Sequence, residues 1–332
     1  MVRVGLIGYG YWGPKLARCM AQDTGCALSA ICDLSAERLG AAAADHPRAI
    51  VERDWCKLVG DPQIDAVAIA TPADSHRDLA LAALDAGKHV FVEKPLALSS
   101  SDAETMIVAA RRQKLVLLVD HTYVHSPAML AIRRALTQGS LGQIREYRSL
   151  RYNAEGGRRD SNVLWDLATH DLSILEFLFP GAAQAVRVEE SAARAGGPPS
   201  RAALTVYFPD SLTARIRVDW AAGEGQRRIE IAGTKGMLVF DDLQAVKLRR
   251  VDQLSGEPQG APSPIALETT EPLTMVIRHF AACIRGEVEL AAGGKAALRV
   301  IRLLEAASAS LAHGGSLVAV DAADHRLALP AE

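Results

Sequence analysis

Three side chains able to hold or move a proton stand out by their surroundings. Lys94 sits within Glu93-Lys94-Pro95, directly after the apolar run HVFV, while Asp166 and His170 stand four residues apart in NVLWDLATHD. An alcohol cannot lose hydride until its hydroxyl proton has somewhere to go. Histidine, whose ordinary pKa lies nearest neutrality, is the residue suited to take it, so His170 is the expected proton acceptor. On a helix Asp166 shares its face, with Asn162 beside them if the helix reaches back that far. Pro95 restricts Lys94 to extended geometry or permits a cis bond, which aims its ammonium at a substrate hydroxyl or carbonyl oxygen. Plainer readings exist for each: Lys94 pairing with Glu93, and Asp166 with His170 as an i,i+4 pair on a wet helix face. No third His or Cys stands at ligand spacing, so no metal is expected.

The elements that must carry these residues can be read from the pattern of apolar positions. From residue 2 to about 120, short runs (VRVGLIG, ALSAICD, DAVAIA, HVFVE, LVLLV) alternate with Ala- and Leu-rich helical stretches. Continuously apolar strands between helices describe a parallel sheet covered on both faces. In such a sheet ligands lie beyond the carboxyl ends of the strands, where Thr71-Pro72 and Glu93-Lys94-Pro95 are found. His76, in TPADSH, either caps, packs or binds there.

Beyond about 125 the rhythm changes to alternation by two, as in Leu212, Ala214, Ile216, Val218 and Trp220, the signature of an antiparallel sheet with one wet face. Further strands are expected over 144–152, 203–208, 228–232, 237–240 and 245–251, with helices near 128–138, 166–179, 274–285 and 295–312. The segments 192–200 and 254–264, rich in Gly, Pro, Ser and Ala, read as loops. The expected fold is α/β: a doubly wound parallel sheet over residues 1–122, followed by an α+β domain over 123–332 with an open, mostly antiparallel sheet.

In GYGYWG, the glycines Gly8, Gly10 and Gly13 follow the first strand and open a helical stretch, and Asp33 ends the next strand. Gly8 permits a tight turn, Gly10 lets backbone approach a pyrophosphate, and Gly13 lets the helix pack close with its first amides facing the anion. Asp33 would accept from ribose hydroxyls and repel a 2′-phosphate, favouring NAD over NADP, although Arg38 is close in sequence. Its plainer reading is a cap for the following helix.

Composition narrows the partners. Lys plus Arg total 37 against 39 Asp plus Glu, with no basic run, so no footprint for nucleic acid exists. No apolar run spans a bilayer and no secretory leader is visible, and the five cysteines show no CxxC spacing. Buried, reduced thiols in a cytoplasmic protein are expected, without nucleic-acid or membrane partners.

GYGYWG, TP at 71–72, EKP at 93–95, WDLATHD at 165–171 and the late IEIAGTKGMLVFDD together resemble the Gfo/Idh/MocA family of NAD(P)-dependent oxidoreductases over nearly the whole chain. The resemblance implies that Lys94, Asp166 and His170 act together at the nicotinamide ring. It places Gly8, Gly10, Tyr11, Trp12, Gly13, Asp33, Arg38, Thr71, Pro72, His76, Glu93, Lys94 and Pro95 at the cofactor. Sugar, cyclitol or nucleotide-sugar substrates are implied, closest to members of sugar biosynthesis, with a homodimer or homotetramer formed through the second sheet. Polar and aromatic residues near the domain junction, His121, Tyr123, Arg151, Tyr152, Asn153, Arg158, Arg159, Asn162 and Trp165, are the candidate substrate contacts. Two departures bear on substrate orientation: Ala73 stands where many relatives have Asn, and AAGEGQRR after Trp220 lacks an expected lysine. Rival readings are an NAD-dependent glycosidase of the same fold and a catalytically silent NAD-binding regulator.

Overall fold

The computed structural model describes the chain except for residues 155–161, 194–196, 221, 255–256, 291–292 and 321–332. The chain forms two compact units, one comprising Met1–His125 with Thr270–Ile301, the other Ser126–Thr269 with the described residues 302–320.

The first unit begins with six strands: β1 (Val2–Ile7), β2 (Cys26–Cys32), β3 (Ile50–Glu52), β4 (Ala66–Ile69), β5 (His89–Val92) and β6 (Leu117–Val119). Helices α1 (Gly13–Gln22), α2 (Ala36–Asp45), α3 (Trp55–Gly60), α4 (His76–Asp85) and α5 (Ser100–Arg112) lie between them. All pairs are parallel, in the order β3-β2-β1-β4-β5-β6. The order reverses between β1 and β4, so their carboxyl ends open the crevice in which doubly wound sheets bind ligands. The strands read as unbroken apolar runs because both faces are covered: Val4, Leu6, Val67, Phe91 and Leu118 are fully buried. The short β3, whose Ile50 and Val51 are exposed, has no apolar signature and was not expected.

In the second unit α6 (Pro127–Thr137) and α7 (Thr169–Leu178) accompany a nine-stranded sheet. Its strands are β7 (Ile144–Tyr152), β8 (Ala185–Ala193), β9 (Pro199–Tyr207), β10 (Thr213–Asp219), β11 (Gln226–Gly233), β12 (Gly236–Asp241), β13 (Leu248–Leu254), β14 (Glu257–Pro264) and, near the chain end, β15 (Val318–Ala319). The order is β14-β13-β12-β11-β7-β10-β9-β8-β15, antiparallel except for the pair β7 and β10. Along β10 the expected alternation holds: Ala214, Ile216 and Val218 are buried, Arg215 and Arg217 exposed. The two expected loops are strand in large part. Residues 192–193 end β8, 199–200 begin β9, and 257–264 form β14. β14 is an edge strand, where a proline leaves no ladder bond of the interior unmade.

Two helices follow, α8 (Pro272–Ile284) and α9 (Gly294–Ala312). α8 belongs to the first unit, contrary to the expectation that everything after residue 122 forms the second domain. Leu273, Val276, Ile277 and Phe280 join one core with Leu16, Met20 and Phe91, the rings of Phe91 and Phe280 lying 5.6 Å apart. Ion pairs Arg18–Glu271 at 2.7 Å and Arg278–Asp23 at 2.9 Å hold α8 beside α1. Four cysteines are buried and Cys56 is exposed, a departure from the expected set of buried thiols. Among the described residues no helix is long and apolar enough to cross a membrane.

Candidate active site

At the carboxyl end of β1 the three glycines do different work. Gly8 adopts φ 98°, and a Cβ there would meet the Ala70 carbonyl oxygen at 2.5 Å, so the turn lies hard against the end of β4. A Cβ on Gly13 would strike the Gly8 carbonyl oxygen, and this fixes how closely α1 packs. A Cβ on Gly10 would instead enter open ground, its nearest neighbour being Arg38 Nη1 at 3.9 Å. That is the cradle a pyrophosphate requires, at the start of α1, where Pro14 has no amide hydrogen and the Lys15 amide donates to the Trp12 carbonyl at 3.0 Å. Tyr11, 78% exposed, packs edge-on against Trp12, and the Lys15 ammonium covers both rings at 3.8 and 4.1 Å.

Asp33 is buried and fixed by three donors. Its Oδ2 accepts from the Tyr9 amide at 2.7 Å, and its Oδ1 from the Ser35 amide at 2.8 Å and Arg38 Nε at 3.0 Å. The cap of α2 is Ser35, whose hydroxyl accepts from the Arg38 amide. Asp33 therefore does not cap α2; it stands between the glycine turn and α2, where a ribose is read. Gly8, Gly10, Gly13 and Asp33 fit a dinucleotide.

At the neighbouring strand ends, Thr71 Oγ1 shares a hydrogen bond with Ser75 Oγ at 2.7 Å. His76, expected at the cofactor, is 1% exposed, with Nδ1 at 2.8 Å from the Pro95 carbonyl and Nε2 at 3.0 Å from that of Thr71. Its imidazole is a brace joining the turns after β4 and β5. Lys94 is 7% exposed and its bond to Pro95 is cis. Glu93, likewise expected at the cofactor, turns inward: its Oε2 accepts from the Lys94 amide at 3.2 Å, and it faces the buried carboxyl of Asp120. Burial, reinforced by the Asp120 charge, holds the Glu93 carboxyl well above its ordinary range, and burial raises Asp120 too. His121 is buried, and among the described residues neither ring nitrogen has a hydrogen-bond partner; burial, helped by the Lys94 charge, pushes it down to about 4. A neutral, enclosed imidazole behind Lys94 replaces the expected substrate contact. Tyr123 is half-buried in the short helical turn 122–125.

In the second unit Asp166 lies within a π-helical turn, Leu164–Ala168, that runs straight into α7 with His170 as its second residue. Such turns insert an extra residue in a helix and recur at functional sites. Asn162, a candidate substrate contact, caps this run: its Oδ1 accepts from the amides of Leu164 and Trp165 at 3.0 and 3.2 Å. Asp166 Oδ2 accepts from Trp220 Nε1 at 2.8 Å, a partner the sequence reading did not identify. Asp166 and His170 are both half-buried. The next residue, Asp171, is pinned in the core by Arg151 Nε at 2.7 Å and by the Tyr147 hydroxyl at 3.4 Å. Consecutive helical residues point about 100° apart, so anchoring Asp171 to β7 directs His170 away from it. Arg151, whose side chain is 4% exposed, is thus the counter-ion of Asp171 and not a surface substrate contact. Trp165 donates from Nε1 to Ser308 Oγ at 3.0 Å, which gives it a structural partner. Tyr152 and Asn153 are half-buried at the end of β7. Arg158 and Arg159 lie outside the described residues. Among the described residues no group of three or more His, Cys, Asp or Glu could hold a metal ion.

Residues 2–121 match the model of the oxidoreductase family with an NAD-binding Rossmann fold, and residues 129–239 that of the GFO/IDH/MocA C-terminal domain. The 1,5-anhydro-D-fructose reductase of Ensifer adhaerens is 30% identical over 272 residues, covering 74% of this chain and 78% of its own. The inositol 2-dehydrogenase of Rhizobium meliloti is 26% identical over 330 residues, 94% of this chain and 97% of its own. The crystal structure of an oxidoreductase from Magnetospirillum magnetotacticum superposes with a TM-score of 0.82 at 32% identity, covering 92% of this chain and 99% of that one.

Proposed function

Because the chain belongs to the Gfo/Idh/MocA family of NAD-binding oxidoreductases, we propose that it interconverts a ring hydroxyl and a ring ketone on a sugar, cyclitol, amino sugar or nucleotide sugar, with Lys94, Asp166 and His170 at the reacting centre. The dinucleotide, when bound, supplies the hydride acceptor or donor. In the oxidative direction the His170 imidazole takes the hydroxyl proton. Asp166 orients that ring and stabilises its cationic form, and Lys94 Nζ hydrogen-bonds the same oxygen as it becomes a carbonyl. In reduction the same groups act as acids.

The observation that carries this reading is the fixed direction of Asp166, held by Trp220 Nε1 at 2.8 Å half-way along the run that presents His170 one turn later. A carboxylate so held is a preorganised orienting group, not one end of a loose surface pair. The substrates named for the relatives, an anhydro sugar and a cyclitol, supply the substrate class.

A panel of sugars, cyclitols and nucleotide sugars with NAD and NADP, followed at the nicotinamide absorbance, is expected to show net NADH formation or consumption. Glycosidic cleavage without net NADH would point instead to a glycosidase, and NAD binding without turnover to a regulator. With the substrate found, His170→Ala is expected to lower kcat by about 10²–10⁴ while NAD binding persists; unchanged turnover would remove His170 from the chemistry.

Association is proposed through the wet face of the nine-stranded sheet. Glu146 there pairs with Arg148 at 2.6 Å and with Arg215 at 2.7 Å, and Arg228 pairs with Glu230. A broad face with charges of both signs suits a two-fold contact with a second copy. Sedimentation is expected to give a dimer or tetramer, weakened by salt; a monomer at all concentrations would contradict it.

A further inference from the structure

β5 and β6 are neighbours in register, Val92 opposite Val119, so Glu93 and Asp120 stand side by side one residue beyond the carboxyl edge of the sheet. The ladder continues through them, the Asp120 amide donating to the Val92 carbonyl at 2.7 Å and the Glu93 amide to that of Ile69 at 2.9 Å. Both side chains are buried. Asp120 Oδ1 accepts from the Thr122 hydroxyl at 2.6 Å, and Glu93 Oε2 from the Lys94 amide. Among the described residues Glu93 Oε1 is buried with no N–H or hydroxyl donor, and the Asp120 carboxyl is the acidic group that acts on the Glu93 side chain. Burying two charged carboxylates at adjacent strand ends is costly, and an oxygen left without a donor is satisfied if the neighbouring carboxyl carries a proton.

We propose that Glu93 and Asp120 share a single proton and act as one buried counter-ion of charge −1 for Lys94. The inference rests on the reading of Lys94 as the donor to the reacting oxygen.

Among the described residues, the ionisable groups around the pair are Lys94 on the same strand end and His121 beside Asp120; His125 lies beyond His121, its ring tilted by 43° against that of His279 of α8 with centroids 4.9 Å apart. His121 and His125 are held neutral by burial. Lys94 is thus the cation that the shared charge balances, and the cluster is neutral in sum. A fully ionised pair would leave it with excess negative charge, and a fully protonated pair would leave the ammonium uncompensated in a dry site. The shared charge thus sits beside the side chain proposed to donate to the reacting oxygen. Glu93 and Asp120 act through Lys94 and are positioning residues.

Amide isosteres separate this from a merely structural role. Glu93→Gln and Asp120→Asn each leave one carboxylate facing one N–H donor, which mimics the shared-proton state. Each single variant is expected to lower kcat/KM only a few-fold, with the alkaline limb of its pH profile in place. The double variant keeps the hydrogen bond and loses the charge, so that limb is expected to move down by about 1 pH unit or more, the size of effect an opposite charge exerts at contact. Difference infrared spectra of the whole protein supply a readout that needs no substrate: a protonated-carboxyl band present in the unmodified chain and lost from both single variants. Persistence of that band in both, or a double variant whose alkaline limb coincides with that of the singles, would overturn the proposal. Lys94→Met tests the parent reading separately: unchanged turnover in that variant would remove Lys94 from the reaction and leave the infrared result standing by itself.

Discussion

A carboxylate orients an imidazole only while its own direction is fixed, and for Asp166 that direction depends on the indole of Trp220. Trp220→Phe keeps the ring and removes the donor. Hydrogen bonds to charged groups contribute about 1.5–3 kcal/mol, so kcat is expected to fall roughly ten- to hundredfold, with NAD affinity unchanged. Steady-state kinetics beside a direct NAD titration checks this; equal losses in both would mean that the indole supports the fold and not Asp166. The local settings of Lys94, Asp166 and His170 were legible because sequence displays them: a strand end before a proline, and a four-residue step on a helix. Trp220 was not, since it meets Asp166 across 54 residues of chain and no spacing rule reaches that far. Asp120 could have been found, because it follows β6 as Glu93 follows β5, and the rule that ligands gather at carboxyl ends applies equally to it. Arg151 and His121 look like surface contacts by type. Burial decided their roles, and burial is a property of the assembled unit.

At the scale of elements, the parallel strands declared themselves because two covered faces demand unbroken apolar runs, and β10 because one wet face demands alternation. β14 was hidden by prolines that only an edge position tolerates. The largest difference is α8, whose amphipathic pattern was plain but whose destination was not: periodicity shows that a face is buried, not against what. Its Phe280 is fully buried against the sheet of the first unit, touching Phe91. Phe280→Ala is expected to cost about 3–5 kcal/mol through the cavity it leaves, and to lower NAD binding in step with the loss of folded protein. Urea unfolding followed together with NAD binding would show this. A variant that loses stability only in the second unit, with the nucleotide site untouched, would contradict the placement of α8.

For the molecule as a whole, buried ionisable groups tie stability to pH. Burial lowers His125 to about 3 and His121 to about 4, against an ordinary 6.5. A base depressed in the folded state binds fewer protons there than when unfolded. Its contribution is complete above about pH 6.5 and is lost as pH falls toward the folded value. Glu93 works in the opposite sense, its raised carboxyl favouring the folded state at low pH and less as pH rises above its ordinary range. The histidine effect is isolated by difference. From pH 7.5 to 5, His125→Phe should be spared about 2 kcal/mol of the loss that the unmodified chain suffers, read from urea midpoints at each pH. Parallel pH curves would mean His125 is charged in the folded state. The proposal on which the function rests is that Lys94 and His170 serve one hydride-transfer step. Single-turnover rates for Lys94→Met, His170→Ala and the double variant, with NAD saturating, test it most directly. Groups acting as a unit are non-additive, so the double variant is expected to be no slower than about the slower single, each single being down by roughly 10²–10⁴. Losses that multiply in the double variant would show that the two residues act in separate steps and would contradict the account.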